Sequence, residues 1–343
     1  MATIRDVAKE SKVSVATVSY VINNGPRPVR PETRQRVLAA MSRLDYHPNA
    51  MARGLVRRRM DTLGVLFGMV ESSVVVTNPF AAGVLQGIFT AAAADGYNVT
   101  LFTKGWSDAR LSAPALRDRR TDGIIAVAPA TDSDAVAALA GMDLPLVAIS
   151  FPAEPLGVPS VDVDNYRGAR LAAEHFLSLG HTRIAHLTGN HNLASAQQRV
   201  EGFRAALAAA GVACPPEYLV PGLYSARDAH ENARRLLSLS RPPSAIFAGN
   251  DSMAIAVMEV AHDLGIAVPR QLSVVGFDDI PAARQVTPPL TTIRQPLTQI
   301  GETATRLLVA RVEGRPVPPT THLLEPELIV RGSTAATAAR QTF

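Results

Sequence analysis

The stretch that most constrains this chain is TIRDVAKESKVSVATVSYVINN, from Thr3 to Asn24. Ile4, Val7 and Ala8 keep an i, i+3, i+4 spacing, which puts one apolar stripe on a short first helix. Val13 falls in a tight turn, and Ser14 can cap the free N–H groups of a second helix. That helix buries Val18, Val21 and Ile22 and turns Val15, Ala16, Thr17 and Tyr20 outward. Two short helices joined this way form a helix-turn-helix, whose second helix fits the major groove of B-DNA. Pro31 and Glu32 open a third helix with Val37, Leu38, Met41 and Leu44 on its buried face, closing a small head over residues 1–47.

Charge divides the chain at the same place. Residues 1–60 carry 12 Lys and Arg against 4 Asp and Glu, a net of +8, while the other 283 residues carry 22 against 26. A basic head on a mildly acidic body is what phosphate neutralisation requires. At 343 residues and 47% hydrophobic content, two or three packed units are expected. No apolar run reaches membrane-spanning length and no leader pattern opens the chain, so a soluble, cytoplasmic protein without a membrane partner is expected. The single cysteine, Cys214, excludes an internal disulfide.

Residues 48–61 read as a linker in which Pro48 starts a short helix over 49–56, weakened at Gly54 by about 1 kcal/mol relative to Ala. From Thr62 the pattern changes. TLGVLF, YNVTLF, GIIAVA and LPLVAIS are buried parallel strands, with amphipathic segments such as Phe80 to Ala94 between them. After Asp164 a second set follows, with strands RIAHL, SAIFAG and LSVVG and helices Tyr166–Leu179, Gln197–Ala210, Ala226–Leu239 and Ser252–Leu264. The fold class is therefore α/β: a three-helix head and hinge, then two doubly wound lobes over 62–332, which take ligands outside the carboxyl ends of their strands. The tail, 333–343, has no leucine heptad, so a homodimer is expected rather than a tetramer.

Catalytic motifs are missing: no G-x-S-x-G elbow, no Walker sequence, no G-x-G-x-x-G after a strand. His175, His181, His186 and His191 cluster in sequence but fall on different elements, so neither a metal nor a cofactor is expected, and the chain is read as a non-enzyme.

ATIRDVAKESKVSVATVSYVIN resembles the N-terminus of the lactose/galactose repressor (LacI/GalR) family, nearest its galactose branch. The likeness continues through ETRQRVLAAMSRLDYHPNAMARGL and more loosely to about Arg331. It implies a bacterial transcription regulator, a repressor in the family's usual mode, with a periplasmic-binding-protein-like body whose chain crosses between lobes near Ser160–Asn165, Thr291–Gln295 and Leu324–Leu328. It also implies a hinge helix that orders when two subunits sit on the operator, with Leu55 wedged into the minor groove at a central CG step; Gly54 departs from the family's Ser or Ala. The DNA-facing set is then Thr3, Ser14, Val15, Ala16, Thr17, Tyr20, Asn23 and Leu55, on a pseudo-palindromic double-stranded site. Tyr20 stands where the galactose branch more often has Arg, so the outer half-site should differ.

The resemblance further implies an effector between the lobes. Carried over residue by residue, the set is Phe80 (after Asn78 and Pro79), Ser150, Phe151, Asp164, Arg199, Tyr224, Asn250 and Asp278. Arg, Asp, Asn and aromatic groups together suit a sugar or sugar derivative, whose hydroxyls donate and accept while its C–H faces stack. A nucleobase-type effector or a protein corepressor are the alternatives, and a solute-binding transport protein would share the fold. The helices Pro296–Arg311 and Phe80–Ala94 are candidate dimer faces, which the sequence does not separate from core faces.

Overall fold

A computed structural model describes residues 2–23, 28–48, 59–68, 77–154 and 157–337. The hinge residues Gly54 and Leu55 and the last six residues of the tail lie outside the described residues. Two compact units are present, one formed by Met1–Thr62 with Asp118–Asp122 and one by the rest.

In the head, α1 (Ile4–Ser11), α2 (Val15–Asn23) and α3 (Pro31–Arg43) bury Val7, Ala8, Val18, Val21, Val37 and Ala40 in one small core. Thr3 and Asp6 form a reciprocal capping box: the Asp6 carboxylate accepts the Thr3 N–H at 2.8 Å, and the Thr3 hydroxyl oxygen accepts the Asp6 N–H. Ser14 caps α2, accepting the Thr17 N–H at 3.1 Å. One expectation fails here. Leu38 is 48% exposed, because the buried stripe of α3 runs through Val37 and Ala40, and Leu38 sits about 100° round the helix from Val37.

The second unit holds two six-stranded sheets. The first comprises β1 (Thr62–Phe67), β2 (Asn98–Phe102), β3 (Gly123–Val127), β4 (Leu146–Ile149), β5 (Ser160–Val163) and β11 (Thr321–Leu324), in the order β11-β5-β4-β3-β1-β2. The second comprises β6 (Ile184–Thr188), β7 (Leu219–Pro221), β8 (Ala245–Ala248), β9 (Ser273–Asp278), β10 (Thr291–Arg294) and β12 (Glu327–Ile329), in the order β12-β10-β9-β8-β6-β7. β12 pairs antiparallel with β10, while β6 through β10 pair parallel. Both sheets reverse their strand order after the first strand, at β1/β3 and at β6/β8, which opens a crevice at those carboxyl ends.

In lobe one the helices are α4 (Pro79–Ala94), α5 (Ala109–Leu116) and α6 (Ala135–Ala140); in lobe two they are α7 (Asn165–Ser178), α8 (Ala194–Ala209), α9 (Ala226–Leu237) and α10 (Asp251–Asp263). The late helix α11 (Leu297–Val312) returns to lobe one and packs against α4. The chain therefore crosses between β5 and α7, between β10 and α11, and between β11 and β12. Gly87 and Gly301 allow the backbones of α4 and α11 to approach so closely that a Cβ at either would strike the other helix. The apolar faces of α4 and α11, read from sequence as candidate dimer faces, thus meet each other as core.

Candidate functional site

The carboxyl ends of the strands converge on a cavity of about 270 Å³. Asn78 and Phe80 enter after β1, Ala128 after β3 and Ser150 after β4; Asn190, Leu193 and Ser195 enter after β6. Leu223 and Tyr224 follow β7, Asn250 and Ser252 follow β8, Asp278 ends β9, and Gln295 follows β10. Every wall residue named here thus sits where a strand hands over to the next element. The backbone is held tightly there: Ala128, Ser150, Leu223, Tyr224 and Asp278 all have positive φ, at 45°, 56°, 53°, 58° and 123°. Such conformations cost of order 1–3 kcal/mol each and cluster where geometry is functional. Gly189 makes room for Tyr224, since a Cβ there would collide with the phenol ring.

Arg199 is the centre of the site, 5% exposed on α8. Its Nε donates to Asn165 Oδ1 at 2.9 Å, its Nη1 donates to the Gly249 carbonyl, and its guanidinium lies 3.5 Å from the centroid of the Phe277 ring. A desolvated cation over an aromatic face gains about 2 kcal/mol. Among the described residues its Nη2 has no hydrogen-bond partner, and Arg199 lines the cavity. Two buried carboxylates flank it. Burial pushes Asp278 up to about 6, against the pull of Arg199 and of the Gln295 amide, which donates to Asp278 Oδ1 at 2.5 Å. Burial likewise pushes Asp162 up to about 6, with the Val163 N–H, Ser150 and Arg199 drawing it back.

Six of the eight residues read from sequence, Phe80, Ser150, Arg199, Tyr224, Asn250 and Asp278, line this cavity. Phe151 and Asp164 do not. Phe151 points the other way along its strand end, into a core with Leu66, Ala126 and Val158. Asp164 caps α7, its carboxylate accepting the Arg167 N–H at 2.8 Å. Asn78 and Asn250 are caps as well as wall, spending their Oδ1 on Ala81 N–H and Met253 N–H. Asp251 is a buried strut whose oxygens accept from Ile280 N–H and Thr292 Oγ1. Ala128, Asn190, Leu193, Ser195, Leu223, Ser252 and Gln295 were missed; the signal that could have found them is their place in the segments that follow strand ends.

The lobes also meet beside the cavity. Thr131, after β3, donates its N–H and its hydroxyl to the Asn192 carbonyl at 2.8 and 3.1 Å, and Asn192 Nδ2 donates to Asp132 Oδ2 at 3.1 Å. The histidines go to separate partners. His181 bonds Ser244 and Ser273, His175 bonds Thr334, and His186 stacks on Phe247, where burial lowers it to about 4. Among the described residues no group of His, Cys, Asp and Glu could hold a metal, and no helix is long and apolar enough to cross a membrane.

In the head, Val15 is 42% exposed, Ala16 is exposed, and Thr17 and Tyr20 are half-buried on α2. Asn23 donates to Ser19 Oγ at 3.2 Å. Leu55 falls outside the described residues.

A head that presents such a helix, with a two-lobed body around a cavity of mixed polar and apolar lining, defines a DNA-binding transcription regulator. Residues 3–49 match the model of the bacterial regulatory proteins, lacI family, and residues 173–334 match the periplasmic binding protein-like domain. The chain is similar to the HTH-type transcriptional repressor PurR of Photobacterium profundum, at 35% identity over 97% of this chain and 98% of that protein. It is 34% identical to the HTH-type transcriptional regulator GalR of Escherichia coli K12, over 97% and 96%. Among solved structures it resembles the lac repressor dimer bound to operator and the anti-inducer ONPF, with TM-score 0.85, 29% identity and 98% and 99% coverage. It also resembles a complex of the transcriptional regulator CelR with cellobiose, with TM-score 0.74, 31% identity and 97% and 100% coverage. The chain belongs to the lacI family of bacterial regulatory proteins.

Proposed function

We propose that this regulator is a homodimeric repressor whose affinity for a pseudo-palindromic operator is set by a neutral sugar bound in the Arg199 cavity. The observation that carries the sugar reading is the donor–acceptor mixture around Arg199. A guanidinium with a free Nη2 faces accepting oxygens of the ligand, Asp278 accepts from its hydroxyls, and the NH2 groups of Asn78, Asn190 and Asn250, whose oxygens already accept backbone N–H groups, can add to the donors. Phe80 and Tyr224 supply apolar surface for the C–H faces. The volume suits a ligand at the small end of what binding pockets hold. CelR carries cellobiose, and a LacI-family regulator from Enterococcus faecium carries ribose, in structures this chain resembles.

On DNA, Val15, Ala16 and Tyr20 read base edges, Thr3, Ser14, Thr17 and Asn23 seat the head on the backbone, and Leu55 wedges the minor groove at the centre of the site. The test is selection of random duplexes followed by titration of the best site with sugars and nucleobases. A palindrome released or tightened by one sugar is expected. Response to a nucleobase alone, or to no small molecule, would replace the sugar with that nucleobase or with a protein corepressor.

Two further outcomes follow. Leu55→Ala should lower operator affinity at least about tenfold, the scale of a lost wedge worth a few kcal/mol, while sugar affinity by calorimetry stays unchanged. Equal loss of both would sink the hinge mechanism. Asp132→Ala removes one of the exposed bonds joining the lobes, so sugar affinity should fall about two- to tenfold, as for a hydrogen bond worth about 1 kcal/mol. An unchanged affinity would mean that closure does not use that bond.

A further inference from the structure

Asp162 lies on β5 beneath the cavity, 5% exposed and outside its lining. Its Oδ1 accepts from Ser150 Oγ at 3.0 Å and from the Val163 N–H at 2.8 Å, and its Oδ2 accepts from Asn165 Nδ2 at 3.0 Å. Asn165 Nδ2 also donates to the Val163 carbonyl at 3.1 Å, and Asn165 Oδ1 accepts from Arg199 Nε at 2.9 Å. Four side chains, Ser150, Asp162, Asn165 and Arg199, therefore form one chain of hydrogen bonds through the first crossover. Its two ends are cavity walls on opposite lobes.

The carboxylate sets the direction of the bonds it receives, and the Arg199 guanidinium, which can only donate, holds the other end of the chain in the same sense. An ionised carboxylate can only accept. Ser150 must spend its single hydrogen on Asp162, so it shows the cavity lone pairs alone. Asn165 must turn its NH2 toward Asp162, which leaves its oxygen for Arg199. With Nε fixed there and Nη1 on the Gly249 carbonyl, the remaining Nη2 is the donor available to a ligand. Burying a carboxylate is costly, and filling the same space with an apolar side chain would avoid that cost.

We infer that Asp162 is a positioning residue that sets the hydrogen-bond polarity of the cavity: it makes Ser150 an acceptor and aims Arg199 as a donor. The ligand it selects carries a donating hydroxyl toward lobe one and an accepting oxygen toward lobe two. This selection rests on the sugar reading above; the positioning itself does not.

Asp162→Asn places an amide where the carboxylate was, so one donor must face another, and the Asn165 amide turns away from Arg199. The double variant Asp162→Asn/Asn165→Asp restores an acceptor for Arg199 Nε and a donor–acceptor pair at the crossover, while giving up the bond that the Asn165 amide makes to the Val163 carbonyl. Exchange of the Arg199 Nε–H, followed by 15N NMR on the full-length, ligand-free protein, should quicken at least about tenfold in the single variant and return to within about twofold of wild type in the double. Calorimetry with D-ribose, D-galactose and cellobiose should show the same loss and recovery for whichever sugar the wild type binds. Unchanged Nε–H exchange in Asp162→Asn overturns the proposal. So does a double variant that melts like the wild type yet restores neither readout, since a merely structural role would track stability alone. If Asp162→Asn fails to fold, recovery in the double variant decides by itself. If the wild type binds none of the three sugars, the exchange arm still decides the positioning and only the sugar reading falls.

Discussion

Arg199→Lys is expected to fold and bind operator but to lose sugar binding by at least about 100-fold. The positive charge between Asp162 and Asp278 survives the substitution, so the buried carboxylates keep their counter-charge. The fork does not survive. A single ammonium cannot reach Asn165 Oδ1, the Gly249 carbonyl and the ligand at once, and hydrogen bonds to charged groups are worth about 1.5–3 kcal/mol each. The face-on packing on Phe277 also weakens. Arg199→Met makes the complementary case. Without the guanidinium, Asp162 and Asp278 hold protons to still higher pH in the folded state, whereas the unfolded chain releases them near 4. Unfolding then sheds protons around neutrality, so raising the pH favours unfolding. Relative to wild type, Arg199→Met should lose melting temperature between pH 6 and pH 8, read by differential scanning calorimetry. An Arg199→Lys protein that still binds its sugar normally, or a pH-flat Arg199→Met, would show that Arg199 is not the pivot of this site.

Much of this arrangement could be read from the chain itself, for a physical reason. Buried central strands such as TLGVLF and SAIFAG announce themselves by continuous apolar runs, and in a doubly wound lobe the ligand must meet their carboxyl ends. Phe80, Arg199, Asn250 and Asp278 were legible through the resemblance to the family's motifs; Phe80, Asn250 and Asp278 also fall at such strand ends, whereas Arg199 sits within α8 and only the resemblance pointed to it. Strands without such an apolar run were not legible. β5 carries Asp162 in its middle, β7 ends on a proline, and the edge strands β11 and β12 hold only four and three residues. Phe151 misled because one step along a strand reverses the side chain, and Asp164 because a helix cap and a ligand carboxylate look alike in sequence. Leu38 misled by one helical step. The Asp162–Asn165–Arg199 relay joins residues 34 positions apart across a lobe junction, and no local pattern encodes such a meeting.

Operator affinity is expected to fall by about 10³–10⁵-fold between 50 and 200 mM salt, the range for six to ten phosphate contacts. The head supplies the charge: residues 1–60 carry a net +8 in each subunit, so a dimer brings twice that to the duplex. Arg43 pairs with Glu10 at 3.1 Å and Arg59 with Asp61 at 3.2 Å, exposed pairs that gain little. On the proposed assignment, base recognition is expected to fall to side chains without charge, Val15, Ala16 and Tyr20, which would add specificity but release no counterions. The two contributions should therefore separate by mutation. Lys12→Asn removes a charge at a left-handed turn position, φ 53°, that Asn tolerates; it should flatten the salt slope by about one for each phosphate no longer neutralised and leave the preferred sequence unchanged. Tyr20→Ala should keep the slope and change the outer half-site. Fluorescence anisotropy across a salt series, run on the selected operator and on a scrambled duplex, reads both. A slope near zero would mean that the basic head does not meet phosphates, and a Tyr20→Ala protein with unaltered sequence preference would take base reading away from α2.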